Sequence, residues 1–259
     1  MRAASAGHAL FAATMIALGI LGLAEGDFAP IWQPVPKDFP AREIAVHLCA
    51  LVPLATGAGL LFHRTAPLSA RVLLGWLAIW LLSARLPALA REPASIDRWF
   101  GVAEMSVYAA GAAMLCGKLP GRHGRRIASA LFALALVLFG VAHFIYIRET
   151  ASLVPRWLPA HLALAYATGF TYIAAGAAIL AGRKAGLAAA LSALQMGLFT
   201  LLVWVPIVMA GPGAFAWSEF VISCTLTASA WVVADSYRSA LQPQDDDAGG
   251  DEGDAAPFA

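Results

Sequence analysis

The stretch that decides the fold is residues 154–180, which read VPRWLPAHLALAYATGFTYIAAGAAIL. Pro155 and Pro159 fix the backbone φ angle and oppose helix formation at the start of this stretch. The residues after them form an almost continuous apolar run of the length that a helix needs to cross a bilayer, about 20 residues. The stretch therefore predicts a rigid elbow that leads directly into a membrane-spanning helix.

Similar apolar runs occupy most of the chain. Of its 259 residues, 60% are hydrophobic and 13% are charged, whereas soluble domains are about 45–50% apolar and about 25% charged. The runs lack the strict alternation of barrel strands, so we expect an all-α transmembrane bundle with the lipid bilayer as its partner. The net charge of +1 gives no indication of a nucleic-acid partner. Eight spans are predicted, at residues 9–26, 44–62, 68–90, 99–117, 127–147, 160–181, 186–210 and 215–236.

The elbow has a counterpart 119 positions earlier, where residues 35–42 read VPKDFPAR. The same shift aligns ATGAGLL (55–61) with AAGAAIL (174–180) and Pro36 with Pro155. Such a repeat predicts two tandem four-helix units, residues 1–120 and 121–240. Each unit crosses the membrane an even number of times, so both units have the same orientation. A cleaved signal peptide is the alternative reading of the first span, but the repeat pairs that span with the fifth.

Positive charge is concentrated in the loops on one side of the predicted bundle. Asp235 is the only acid on that side before the final stretch, so the positive-inside rule predicts that this side is cytoplasmic. Both termini then lie inside a bacterial inner membrane, and the acidic residues 241–259 form a disordered cytoplasmic tail. The basic residues of this side are Arg2, Arg64, Arg71, Lys118, Arg122, Arg125, Arg126, Arg183, Lys184 and Arg238.

Three motifs in the second unit resemble the DoxX-like membrane proteins. They are GVAHF (140–144), the elbow VPRWLPAH and the final WSEFVISCTLTASAWVVADSYR (217–238). The first unit departs from the pattern, with Ala24 and Asp38 where the shift of 119 would place His143 and Trp157. The resemblance implies a tandem-duplicated member of this family. It also implies a redox-associated role in quinone or thiol and sulfur metabolism, with quinone as ligand and a redox protein as partner.

Ionisable groups within the spans are the candidate site residues, because a charge at mid-membrane costs about 2.5–3.5 kcal/mol. Arg85 and Glu104 lie at similar depths in the third and fourth spans, so we expect an ion pair between them. The alternative is that Arg85 and Glu104 only hold the two helices together, or that each side chain extends to the membrane–water interface. All the candidates lie towards the outer side, which predicts an outward-side ligand pocket roofed by the elbows. They are Glu25, His47, Arg85, Glu104, His143, Tyr146, Trp157, His161 and Tyr166.

The two units are predicted to contribute unequally. Under the shift of 119, Arg85 is aligned with Trp204 and Glu104 with Ser223, so the first unit is expected to hold the charged site and the second to add His143. No catalytic residue is assigned. The isolated cysteines and histidines lack the spacing of a metal site or of a dithiol pair, so no metal is expected.

Three functions fit these features. The first is a redox-associated membrane subunit that binds quinone, for which a titratable set beside an apolar pocket is chemically suitable. The second is a transporter of lipid or of another small molecule, since tandem units are common in transporters. The third is a non-catalytic assembly or scaffold protein.

The predicted topology can be tested by accessibility labelling. In a background without native cysteines, single cysteines at positions within 62–65 and 181–184 should react from the same face of the membrane, because both loops follow an even number of spans. A cysteine within the elbow at 156–158 should react only from the opposite face. Labelling of the two loops from opposite faces would contradict the tandem arrangement.

Overall fold

The computed structural model describes residues 5–33, 35, 37–116, 121–211 and 213–239. Within these ranges the chain consists of helices and connecting segments and has no strand, which confirms the all-α prediction. Arg2, Pro36, Lys118 and the predicted tail 241–259 lie outside the described residues. The nine α-helices of the described part are α1 Ala6–Glu25, α2 Arg42–Leu60, α3 Ala66–Arg91, α4 Ile96–Leu115, α5 Gly121–Ile145, α6 Ile147–Leu153, α7 His161–Leu180, α8 Ala185–Ala210 and α9 Ala214–Ser239.

Seven of these helices are long and apolar enough to cross a membrane, as a multi-pass membrane protein requires. The two others are α6, which has seven residues, and α4. Helix α4 corresponds to the fourth predicted span and has 20 residues, but Asp97, Arg98 and Glu104 lower its hydropathy. Eleven of its residues are buried against other helices. A helix enclosed by protein does not need an apolar surface all round, so it tolerates these charges.

Helices α4 and α9 form the centre of the bundle. They contact each other, and each also contacts the first helix of the other half: α4 packs on α5, and α9 packs on α1. More than half of the apolar window of α9 is buried, whereas in each of the other six candidate spans less than half is buried. The other main contacts between the long helices join α1 to α2, α2 to α3, α3 to α4, α5 to α7, α7 to α8 and α8 to α9.

The backbone geometry follows the spacing of 119 residues. Helix α3 is α-helical to Trp80 and then continues through a π-helical segment, Leu81–Arg85, while α8 has its π-helical segment at Thr200–Trp204. A proline is the second residue after each segment, at Pro87 and Pro206. Proline cannot donate a hydrogen bond to the turn before it, and this accounts for the widened turn at both places. The two elbows also match, because Ala41 and Ala160 both have left-handed φ angles, 50° and 55°.

Glycines set the closest helix contacts in both halves. A Cβ added to Gly57 of α2 would lie 2.8 Å from the carbonyl oxygen of Ala12 in α1. A Cβ added to Gly176 of α7 would lie 2.5 Å from the carbonyl oxygen of Ala133 in α5. The backbones of each helix pair therefore touch directly, as small residues permit in membrane bundles.

The two halves differ in the segment that follows their first helix. In the first half, residues 28–32 fold into the bundle, and we call them the plug. Phe28 and Trp32 of the plug are 1% and 2% exposed, and their rings pack 5.6 and 5.5 Å from the ring of Trp80 in α3. In the second half the corresponding segment forms α6, which has no buried residue. The first half is thus closed by its own loop, and the second half stays open.

Alanine at the two contact glycines should destabilise the protein. We expect Gly57→Ala and Gly176→Ala each to lower the free energy of unfolding by about 1–3 kcal/mol, because the added methyl groups push the helix backbones apart. Thermal unfolding in detergent measures the effect. Gly75→Ala is the matched control: no atom lies within 4 Å of its added Cβ, so better helix propensity should stabilise it slightly. Equal melting temperatures for all three variants would contradict the packing.

Candidate functional site

A cavity of about 340 Å³ lies between the central helices and the second half of the chain. We call it the inner cavity. Its walls come from α4, α5, α6, α7, α8 and α9. Aromatic rings form part of the wall, those of Phe100, Phe139, Phe199 and Trp204. The polar side chains that line it include Glu104, His143, Tyr146, Tyr172, Glu219 and Ser223.

Two carboxylates reach the inner cavity from the central helices, Glu104 from α4 and Glu219 from α9. Both side chains are half-buried, and neither forms a hydrogen bond or salt bridge with another described residue. Acids withdrawn from water without a partner are costly to the fold. Groups that a protein keeps at such a cost are candidates for binding or proton transfer.

His143 and Tyr172 form one wall of the inner cavity. The ring of His143 lies 5.4 Å from the ring of Tyr172. Its Nδ1 lies 2.7 Å from the carbonyl oxygen of Phe139, one turn earlier in α5. A carbonyl can only accept, so Nδ1 is the donor, and Nε2 of the neutral ring is left as an acceptor. His143 can therefore take a proton from a ligand.

Tyr146 connects the cavity wall to the elbow side of α4. Its hydroxyl donates a hydrogen bond of 2.7 Å to Oδ1 of Asp97, in the first turn of α4. This bond to a carboxylate raises the pKa of Tyr146 above its ordinary value, because ionisation would remove the donor. Tyr146 therefore remains a neutral hydroxyl across the physiological pH range.

Three of the nine predicted site residues meet in the inner cavity: Glu104, His143 and Tyr146. Glu25 does not line it; its Oε1 accepts a hydrogen bond of 2.9 Å from Ser218 in α9, the residue before Glu219. The cavity spans both halves of the chain, with Glu104 from the first half and His143 from the second. The first unit is expected to hold the charged site and the second to add His143, but the second half also contributes the acid Glu219.

The predicted ion pair between Arg85 and Glu104 is not formed as a direct contact. Within the described ranges, salt bridges join only Arg42 to Asp27, Arg98 to Glu92 and Arg238 to Asp235. Arg85 is buried and donates from Nη2 to the plug carbonyl of Ile31. The plug supplies an acceptor within reach of the guanidinium, so Arg85 affects Glu104 only through space.

The four other predicted residues lie away from the inner cavity. His47 is exposed, and its Nδ1 lies 2.7 Å from the Glu43 carbonyl oxygen of its own helix. Trp157 is 72% exposed and Tyr166 is 42% exposed, so both side chains face outwards. Nε2 of His161 lies 3.1 Å from the carbonyl oxygen of Pro155, within the elbow. These residues belong to the surface or to the elbow itself.

Sequence reasoning missed Glu219, Tyr172 and Trp204 as cavity residues. Its position near the predicted outer end of the last span groups Glu219 with the charges of the outer loops, although it lies one turn before Ser223, the position that the repeat aligns with Glu104. Tyr172 shares the buried face of α7 with Gly169 and Gly176, at helical spacing. That spacing could have indicated that Tyr172 faces inwards.

A second, larger cavity of about 910 Å³ lies between α7 and α8. We call it the side groove. Most of its lining is leucine, alanine and other apolar residues of these two helices. It shares four lining residues with the inner cavity, so the two spaces adjoin: His143, Thr150, Leu153 and Phe199.

Comparisons with known proteins do not identify the site. No protein-family model matches the chain, and no curated protein or solved structure is recognisably similar to it. Among the described residues, no group of three or more histidine, cysteine or acidic side chains is placed to hold a metal ion. The site is therefore interpreted from its own geometry.

Neutralising an unpartnered acid should stabilise the fold. We expect Glu219→Gln to raise the free energy of unfolding by about 1–3 kcal/mol, because the amide is less costly than a carboxylate to keep away from water. Glu25→Gln is the matched control. It makes the same change of charge but still accepts from Ser218, so its stability should change by less than about 0.5 kcal/mol. Loss of stability in Glu219→Gln would show that this acid has a partner.

Proposed function

We propose that this chain is a DoxX-like protein of the bacterial inner membrane with a redox-associated role, and that its inner cavity binds a quinone-class molecule. The observation that carries the proposal is the set of unpartnered acids, Glu104 and Glu219, beside His143 in an aromatic-walled cavity within the apolar bundle. A redox protein is the proposed partner that exchanges electrons with the ligand.

The proposed topology has eight spans in two tandem units, residues 1–120 and 121–240, followed by an acidic cytoplasmic tail. Helix α4 is proposed as the fourth span and brings the total to eight, because its 20 residues match the length of a crossing and its charges are enclosed by neighbouring helices. The recurrence of the π-helical segments after 119 residues supports the tandem units. Eight crossings leave both termini on the cytoplasmic side, in agreement with the distribution of lysine and arginine.

The chemistry of the inner cavity suits a quinone head. A quinone ring carries two carbonyl acceptors, which the hydroxyl of Tyr172 or a protonated Glu104 or Glu219 can bind as hydrogen-bond donors. The aromatic walls suit a flat ring, and the volume of about 340 Å³ lies within the range of small-molecule sites.

Proton exchange is the role that we assign to the titratable groups. Reduction of a quinone takes up two electrons and two protons, and oxidation of the quinol releases them. The acids Glu104 and Glu219 can deliver protons to the ring oxygens, and Nε2 of His143 can accept one. The electrons come from the partner protein, so each turnover balances two electrons against two protons.

A second candidate function, lipid or small-molecule transport, is favoured by one observation. The lining of the side groove extends along the bundle from Pro155 in the elbow to Arg183 and Lys184 in the loop between α7 and α8. A groove that connects both sides could guide a lipid across the membrane. Flux in proteoliposomes that is abolished by blocking the groove would favour this function over redox chemistry.

Quinone binding should depend on the cavity acids and on His143. For the purified protein in nanodiscs, a tetramethylbenzoquinone quenches tryptophan fluorescence, and the part of the quenching that is lost in Trp204→Phe reports binding close to Trp204. We expect Glu104→Gln and His143→Ala each to weaken the affinity at least tenfold, as loss of a specific polar contact in a closed site does.

His47→Ala is the control for this experiment. It also removes a histidine from a membrane helix, but His47 is exposed and bound to its own backbone, so its affinity should match that of the unmodified protein. Unchanged affinity in both cavity variants would overturn the assignment of the site.

A further inference from the structure

We infer that the ligand of the inner cavity is an amphiphile with a long hydrocarbon tail, and that the tail lies in the side groove. The inference rests on the proposed function and specifies the class of ligand. It predicts that the ligand enters sideways from the bilayer, between α7 and α8, and not from water on either side.

The two spaces adjoin at the elbow end of the side groove. Four residues line both, and one of them is His143, which also forms the wall of the inner cavity. A molecule whose head contacts His143 can therefore continue into the groove past Phe199 without crossing a helix. Continuity of lining is the first reason to place both parts of one ligand here.

The polar side chains that α7 and α8 contribute to the groove already have hydrogen-bond partners. Thr171 donates from Oγ1 to Oε1 of Gln195 over 2.5 Å, and Gln195 donates from Nε2 to the carbonyl oxygen of Thr168 over 3.2 Å. Ser192 donates to the carbonyl oxygen of Ala188 over 2.9 Å. Satisfied groups of this kind offer little to a polar ligand. The groove therefore suits hydrocarbon, whereas the inner cavity has unpartnered acids.

The groove has the length and surface that a tail needs. A stripe of half-exposed leucines runs along α8, from Leu187 to Leu202, at helical spacing. From Leu187 to Val203 the helix rises ~24 Å at ~1.5 Å per residue, which is most of the ~30 Å hydrocarbon core. A tail in the groove would lie parallel to the lipid chains. The other members of the stripe are Leu191, Leu194 and Leu198.

The competing occupant is a membrane phospholipid. Arg183 and Lys184 line the end of the groove opposite the elbow, where they could bind a phosphate. That lipid would use the groove without the inner cavity. The two occupants differ in their effect on quinone affinity. If the tail of the quinone lies in the groove, blocking the groove weakens binding of the tailed quinone. If a phospholipid occupies the groove, blocking it leaves binding of the quinone head unchanged.

The test compares two quinones that have the same head, one without a tail and one with a ten-carbon tail. Concentrations are expressed per lipid, so that partitioning into the nanodisc does not count as affinity. We expect the tail to strengthen binding at least tenfold. In Ala174→Phe and Ala178→Phe, which place a ring in the groove, this gain should disappear while the tail-less quinone binds within twofold of the unmodified protein.

Ala177→Phe is the matched control, because Ala177 is exposed on the same helix but does not line the groove. The Ala177→Phe variant should keep the full gain in affinity that the tail provides. Equal affinity of the two quinones, or a tail-dependent gain that survives in both groove variants, would overturn the inference and leave the proposed function intact. Failure of the tail-less quinone to bind would overturn both.

A second measurement addresses the phospholipid. Native mass spectrometry counts the lipids that remain on the protein as the tailed quinone is added. Displacement of a lipid only by the tailed quinone supports the inference, since both would occupy the groove. A lipid that stays bound while the tailed quinone binds, and that is lost in Ala174→Phe, would overturn it.

Discussion

The burial of α4 and α9 at the centre of the bundle is the constraint on which the rest of the structure depends. A charge at mid-membrane costs about 2.5–3.5 kcal/mol, so acidic helices must be shielded from lipid by other helices. Small residues of α4 allow close packing, and hydroxyl groups of α9 such as Thr225 and Ser229 bond to carbonyls of their own helix. The acids of this helix pair that remain available to bind a ligand are Glu104 and Glu219, which face the inner cavity.

The same scaffold produces a closed half and an open half. In the first half the plug fills the space beside α3, and Arg85 at the end of the π-helical segment donates to it. In the second half the matching position is Trp204, which has no plug to hold and lines the inner cavity. The aligned positions 85 and 204 thus have different roles. Arg85 binds the plug that closes the first half, and Trp204 forms part of the cavity wall in the second. This contrast explains why a repeated sequence need not contain two equal sites.

Sequence reasoning singled out Glu104, His143 and Tyr146, which the structure brings together in the inner cavity, because ionisable and polar residues near membrane depth are few. The predicted ion pair of Arg85 with Glu104 is wrong because similar depth in two helices does not determine which group a side chain contacts. The carbonyl of Ile31 reaches Arg85 only when residues 28–32 fold inwards, and no local pattern shows that they do. Sequence reasoning failed for Glu219 because a position near the start of a helix does not show which way the side chain faces.

The sequence by itself determined the helices, their order and the elbows, since hydrophobic length and proline geometry are local properties of the chain. Only the tertiary structure decided which polar groups share a cavity. That outcome depends on how closely helix backbones approach at Gly57 and Gly176, and on whether a loop fills the space that remains. The approach of the helices and the filling of space by a loop both depend on packing between segments that are far apart in sequence. Neither can therefore be predicted from one segment alone.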